Sequence, residues 1–298
     1  MQSDSKKLIE DSIKQLEEDI DKGYSDRMKQ LLEWKAKFHQ YSFWNTILIW
    51  IQRPDAEYVK GFKQWNDMGY RVNKGSKAIR ILAPRLCVYI ERETADGTKE
   101  KVFWKNMSEI ERKMTAKHKQ SEYFIDVSVF DIKDTDCKEY PTFFYNMGND
   151  YEEMYVWLID LFSSQDHSLT IEEVQSTNGS NGCYIDIYKK IHILKRDYNS
   201  MLFTLLHEVA HYYCYKEIQN YEGLYNYKEG ELHAESICFI VAKVLGLYNP
   251  LSRDYIINWK GNSKKLRENL SVIDRISSLM IKNIEKEMDV KEMKEVLC

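Results

Sequence analysis

The stretch TLLHEVAH, residues 204–211, constrains this 298-residue chain more than any other. His207 and His211 are four apart, and on an α-helix positions i and i+4 lie one above the other on the same face. Their imidazoles can therefore converge on one ion, with Glu208 one step round the helix. Two neutral nitrogens beside a carboxylate that can take a proton from water are what hydrolytic zinc chemistry requires. An ordinary amphipathic helix with solvated histidines shows the same spacing, so a third ligand decides. The helix expected over GELHAESICFIVAKVLGL offers Glu231, His233 and Glu235. Glu231 and Glu235 share a face, whereas His233 points to nearly the opposite side. Periodicity thus favours a carboxylate without choosing between the two glutamates. Ala210 and Ala234, each adjacent to a candidate ligand, suit a close approach of the two helices.

Composition removes several other classes. With 43% hydrophobic residues the chain can bury more naturally two cores than one. It has no apolar run of the roughly 18 residues that cross a membrane, and it starts polar and acidic rather than as a signal peptide. A cytoplasmic location without membrane attachment is expected. Six scattered cysteines with no CxxC pair argue against a zinc ribbon or a disulfide framework.

Charge is uneven along the chain. The net charge is −4, yet residues 35–85 carry ten Lys/Arg against three Asp/Glu, together with nine aromatics. Cations that follow a phosphate backbone, interleaved with rings on which bases stack, are the composition of a single-strand binding surface. Phe43, Ile47 and Trp50 in FWNTILIWIQ fall at core spacing instead. Arg71, Lys74, Lys77 and Arg80 bunch around a glycine turn in RVNKGSKAIR and are the expected phosphate contacts. Trp65 and Tyr70, close to that turn, are the expected stacking rings.

The periodicity predicts an α+β fold. Helices over 5–20, 25–38 and from Ser42 to before Pro54 precede a short helix in GFKQWNDM that stops at Gly69. Period-two patterns in KAIRILAPRLCVYIERE, KVFWKN and YFIDVSVFDI then predict a small antiparallel sheet with a turn at Asp96-Gly97. A second block follows: a helix over YEEMYVWLIDLF, the strand LTIEEV, a hairpin in CYIDIYKKIHIL, the HExxH helix, and helices at about 230–246, 252–259 and 263–286. A small sheet, a metal helix behind it and a later helix carrying acids make a minimal zincin. The expected division is 1–146 and 147–298.

Residues 41–84, YSFWNTILIWIQRPDAEYVKGFKQWNDMGYRVNKGSKAIRILAP, resemble the N-terminal single-stranded-DNA-binding domain of ArdC-type antirestriction proteins, and VFDI at 129–132 is similar to a marker of the same family. GCYIDIYKKIHI, TLLHEVAH and HAESICFIVAKVLGL resemble the family's zincin-like metallopeptidase domain. The resemblance implies that His207, His211 and Glu235 hold one zinc or another divalent transition metal and that Glu208 is catalytic. It also implies a protein of conjugative or other mobile elements that accompanies single-stranded DNA and protects it from host restriction, with a host restriction or regulatory protein as a candidate substrate. Two other classes stay open: a DNA-binding protein with a structural or inactive zincin site, and a regulatory protease that cuts a repressor.

Overall fold

The structure is a computed structural model that describes residues 4–21, 26–94, 97–137, 150–218, 227–247 and 263–297. The expected helix at 252–259 and Asp96 of the expected turn lie outside the described residues. The chain divides into two compact units, residues 1–7 with 51–138 and residues 8–50 with 139–298.

In the first unit the period-two stretches pair as expected. Strand β1 (Val59–Gly61), β2 (Ile79–Glu93), β3 (Lys99–Phe103) and β4 (Lys119–Asp131) form an antiparallel sheet in the order β1-β4-β2-β3. The β2–β3 hairpin pairs Glu93 with Lys99, and Thr94 N donates to Thr98 O beyond it. Alternation buries Ile79 and Ile81 on one face of β2, against Val129 of β4, Val59, Ala56 and Ile132. The short helix α4 (Phe62–Asp67) lays Trp65 into this core. A satellite cluster of Ile90, Val102 and Met107 sits under α5 (Glu109–Lys113), whose start is fixed by reciprocal bonds between Ser108 and Glu111.

The second unit is mainly helical. It takes most of α1 (Asp4–Asp21) and α3 (Phe43–Gln52), and all of α2 (Asp26–Lys37), α6 (Tyr151–Gln165), α7 (Tyr198–Ile218), α8 (Tyr227–Val244) and α9 (Ser263–Leu297). Strands β5 (Thr170–Val174), β6 (Gly182–Ile185) and β7 (Lys190–Leu194) add a small sheet in the order β5-β7-β6. The expected hairpin is the antiparallel pair β6–β7, and β5 runs parallel to β7. Helix α8 is the hub: α7, α9 and α2 all pack on it. Its run from Ile237 to Ala242 is buried throughout, as befits a helix that is apolar on every side.

Residues 8–50 therefore group with the C-terminal block rather than with the sheet that follows them, which differs from the division expected at 146/147. The reason is packing. The apolar stripe of α2, Met28, Leu31 and Leu32, is fully buried, and α2 lies against α8. Lys35, one of the ten cations expected at the surface of 35–85, is also fully buried: its ammonium lies 2.7 Å from Asp274 of α9 and donates to Tyr41 O and His39 O. Phe43 and Ile47 are core as expected, while Trp50 and Trp44 are only half-buried, with the Arg267 guanidinium 5.8 Å above the Trp44 ring. Among the described residues no helix is long and apolar enough to cross a membrane.

Candidate metal centre

Helix α7 starts where Asp197 accepts from Ser200 N at 2.9 Å. From there it exposes one narrow polar strip: Leu205, Leu206, Val209 and Ala210 are fully buried, leaving His207 and His211 on the other side. Their Nε2 atoms approach to 3.0 Å. Two imidazole nitrogens this close require a proton or a cation between them, since two lone pairs repel. Tetrahedral zinc with ligand bonds of about 2.0–2.1 Å separates its nitrogens by roughly 3.3 Å, so the donor pair fits such an ion.

The third group comes from α8. Glu231 Oε2 lies 3.4 Å from His207 Nε2, and Glu231 Oε1 lies 3.5 Å from His211 Nε2. Ligand atoms of His207, His211 and Glu231 all fall within 4.8 Å of one another. Glu235, the carboxylate expected as third ligand, is placed differently: its Oε2 lies 3.2 Å from His207 Nδ1, the far side of that ring. The cause is the helical turn separating the two glutamates, which sets them at different heights beside one imidazole. Glu231 thus faces the nitrogens and Glu235 backs one of them, the relation of a ligand to an orienting carboxylate. His233 turns away, as its position on the helix predicts, and meets Asn269 of α9 at 3.1 Å.

Electrostatics follow from this crowding. Burial disfavours the charged imidazole of His207, but hydrogen bonds to Glu231 and Glu235 override it and lift its pKa to about 10. Glu231 is correspondingly held well below the usual carboxylate range by the two histidines. The position between them therefore favours positive charge, for which a metal ion competes with a proton. Burial pushes the Glu208 carboxyl up, against the pull of His207 and His211 and a hydrogen bond from the Tyr184 backbone.

These groups line a cleft of about 860 Å³ together with Gly182, Cys183 and Tyr184 of β6 and Tyr215 of α7. Strand β6 is an edge of its sheet. It reaches the helix because residue 182 is glycine: a Cβ there would lie 2.5 Å from Thr204 Cγ2, 2.9 Å from His192 O and 3.2 Å from Glu208 Cγ. Gly182 and Arg196, another lining residue, were not expected from the sequence; a lone glycine before a strand and an arginine before a helix carry no periodic signal.

The cations expected to touch DNA belong to the first unit. Arg71, Lys74, Lys77 and Arg80 are all exposed, and among the described residues none of them is ion-paired. The segment is pinned through its backbone: Asn73 N donates to Asp134 O, Val72 bridges Thr135, and Gly75 turns the chain at φ +91°. Trp65 does not fit a stacking role. It is 0% exposed, its indole N–H donates to Phe130 O, and its ring is packed edge-on against Tyr58 and Tyr70. Tyr70 is half-buried beside it. The most exposed rings of the unit are instead Phe62 and Phe124, at 54% and 52%.

Comparison with known families bears on the N-terminal part. Residues 4–130 match the family model of the N-terminal domain of anti-restriction factor ArdC. The ArdC resemblance seen in residues 41–84 and 129–132 holds for that segment. The match runs across the boundary at residues 50/51, so the ArdC-type segment contributes to both units. An uncharacterized protein of Bacillus anthracis, pXO2-81, is 25% identical over 302 residues, covering 91% of this chain and 50% of that protein. The chain thus spans about half the length of this curated relative. Among solved structures, the metal-free antirestriction protein ArdC of plasmid R388 aligns over 83% of this chain and 86% of its own, at 16% identity and a TM-score of 0.49. The Mn(II)-bound form of the same protein aligns over 82% and 84%, at 16% identity and a TM-score of 0.47.

Proposed function

We propose that this chain is an antirestriction protein of a mobile genetic element that binds single-stranded DNA through its sheet-bearing unit and carries an HExxH peptidase-type site in its helical unit. The reading is supported above all by the convergence of His207 Nε2, His211 Nε2 and the Glu231 carboxylate in a cleft that also holds Glu208. Zinc is the proposed ion, held by His207, His211 and Glu231; a donor set of two nitrogens and one carboxylate does not by itself exclude other divalent transition metals. Such an ion would supply Lewis-acid polarisation of a water or a carbonyl oxygen.

The chain's own residues supply the rest. Glu235 fixes the ring of His207 through Nδ1. Glu208, desolvated and steered by the Tyr184 N–H, takes the proton of the attacking water and returns it to the leaving amine. The edge strand β6 offers backbone donors and acceptors to an extended peptide in the same cleft. A host restriction or regulatory protein is the proposed protein-side partner. On the nucleic-acid side, Arg71, Lys74, Lys77 and Arg80 provide uncommitted charge for phosphates, and Tyr70 a ring edge beside them.

The test compares wild type with Glu208→Ala in protecting incoming DNA from a restriction enzyme, with single- and double-stranded oligonucleotide binding measured on both. Loss of protection with unchanged single-strand binding is expected. Full protection by Glu208→Ala would assign the metal site a structural role.

A further inference from the structure

One helical turn before Glu208, the cleft carries a positive charge that the proposed chemistry does not use. Arg196, between β7 and α7, donates from Nη1 to Asn181 Oδ1 at 2.8 Å, and from Nη2 to Thr204 Oγ1 at 2.8 Å and Ser200 O at 3.4 Å. All three acceptors are neutral. Its Nε is buried and has no acceptor. The adjacent Asp197 is turned to cap α7, and among the described residues no carboxylate is ion-paired to Arg196. Among the described residues lining the cleft it is the one permanent cation, whereas Asp186, Glu208, Glu231 and Glu235 line the remainder.

A guanidinium whose only role is to brace a loop need not face a cleft with donors unspent. A planar fork with five N–H groups, oriented beforehand by Asn181 and Thr204, loses little freedom when it takes a carboxylate. Thr204 and Glu208 are one turn apart, roughly 6 Å along the helix. An extended peptide advances about 3.3 Å per residue, so the fork lies about two residues from the reacting bond. Asn181 immediately precedes β6, so a peptide on that edge passes the guanidinium.

The geometry points to Arg196 as a receptor for a substrate carboxylate, either an acidic side chain within about two residues of the scissile bond or the peptide's own C-terminus. Arg196 is then a specificity residue, and the inference rests on the peptidase reading of the cleft.

The experiment uses the full zinc-loaded chain and fluorescent hexapeptide pools, acetylated and amidated, with Glu fixed at the third position in one pool and Gln in its twin. A third pool carries Gln and a free C-terminus. Binding is read by anisotropy and cleavage by mass spectrometry. Wild type is expected to bind the Glu pool or the free-terminus pool about tenfold tighter than the amidated Gln pool, as a charge-assisted pair implies. The preference should fall below twofold in Arg196→Gln and survive in part in Arg196→Lys, which keeps the charge and loses the fork. Equal binding of all three pools by wild type overturns the proposal even if a variant fails to fold, and so does an undiminished preference in a folded Arg196→Gln. Carboxylate preference with no cleavage refutes the peptidase reading but leaves the receptor; cleavage without preference does the reverse.

Discussion

At the scale of single residues, the two tryptophans of the N-terminal segment separate what a ring does from where it stands. Trp65 fills the core of the sheet unit and spends its N–H on Phe130 O. Trp65→Ala should therefore cost about 3–5 kcal/mol of stability, seen as a lowered midpoint in urea unfolding, and should weaken DNA binding only through unfolding. Lys74 and Lys77 are exposed and unpaired. Lys74→Ala and Lys77→Ala should each leave the melt unchanged and reduce the slope of log K against log salt for single-strand binding by roughly 0.7. An unchanged slope would remove them from the interface. The role of Trp65 was not legible because α4 spans only Phe62–Asp67, too short for a hydrophobic period to reveal which ring faces inward. Glu231 and Glu235 posed a related problem. Helical spacing puts both beside the histidines, but which carboxylate meets Nε2 and which meets Nδ1 depends on the rotation of the His207 ring, and sequence does not encode that directly.

At the scale of elements, two polar contacts fix helices in place. Lys35 on α2 reaches Asp274 on α9 across a dry interior. Burial lowers the Lys35 pKa, opposed by the attraction of Asp274. Removing the acid alone by Asp274→Leu should strand a buried charge and cost about 3–5 kcal/mol, whereas Lys35→Met/Asp274→Leu should cost less than that single change. Chemical denaturation of the three proteins decides, and a double variant worse than Asp274→Leu would refute the account. Nothing in the sequence marks Lys35 as buried, because its partner lies 239 positions away. The second contact, the Ser108–Glu111 cap of α5, was not among the expected elements, since five residues carry no period. A backbone hydrogen bond from Ser108 and then Arg92 hold Glu111 at about 2, below its ordinary 4.5. A depressed carboxylate contributes stability that is present above about pH 4.5 and lost as pH falls toward 2. Glu111→Gln should flatten the acid end of the stability curve over that window, measured by melts between pH 2 and pH 6.

At the scale of the whole molecule, the pairing of helices with units matters more than their order in the chain. The strands, the HExxH helix and the acid-bearing helix were all legible from period and motif. The allegiance of residues 8–50 was not, because α2 finds its apolar partner on α8, some two hundred residues later. A fragment of residues 147–298 should accordingly expose the α2-binding face of α8, bind a hydrophobic dye and melt without a cooperative transition, whereas the full chain melts cooperatively. A cooperatively folded fragment would show that α2 is dispensable.

The convergence of α7 and α8 on one ion is tested most directly by metal content under native mass spectrometry, on the full chain and its ligand variants. Wild type should retain one zinc per chain, His207→Ala/His211→Ala and Glu231→Ala should retain none at micromolar metal, and Glu235→Ala should bind one with affinity reduced about 10–100-fold. Stoichiometric zinc in the double histidine variant, or zinc lost from Glu235→Ala but kept by Glu231→Ala, would contradict the arrangement described above.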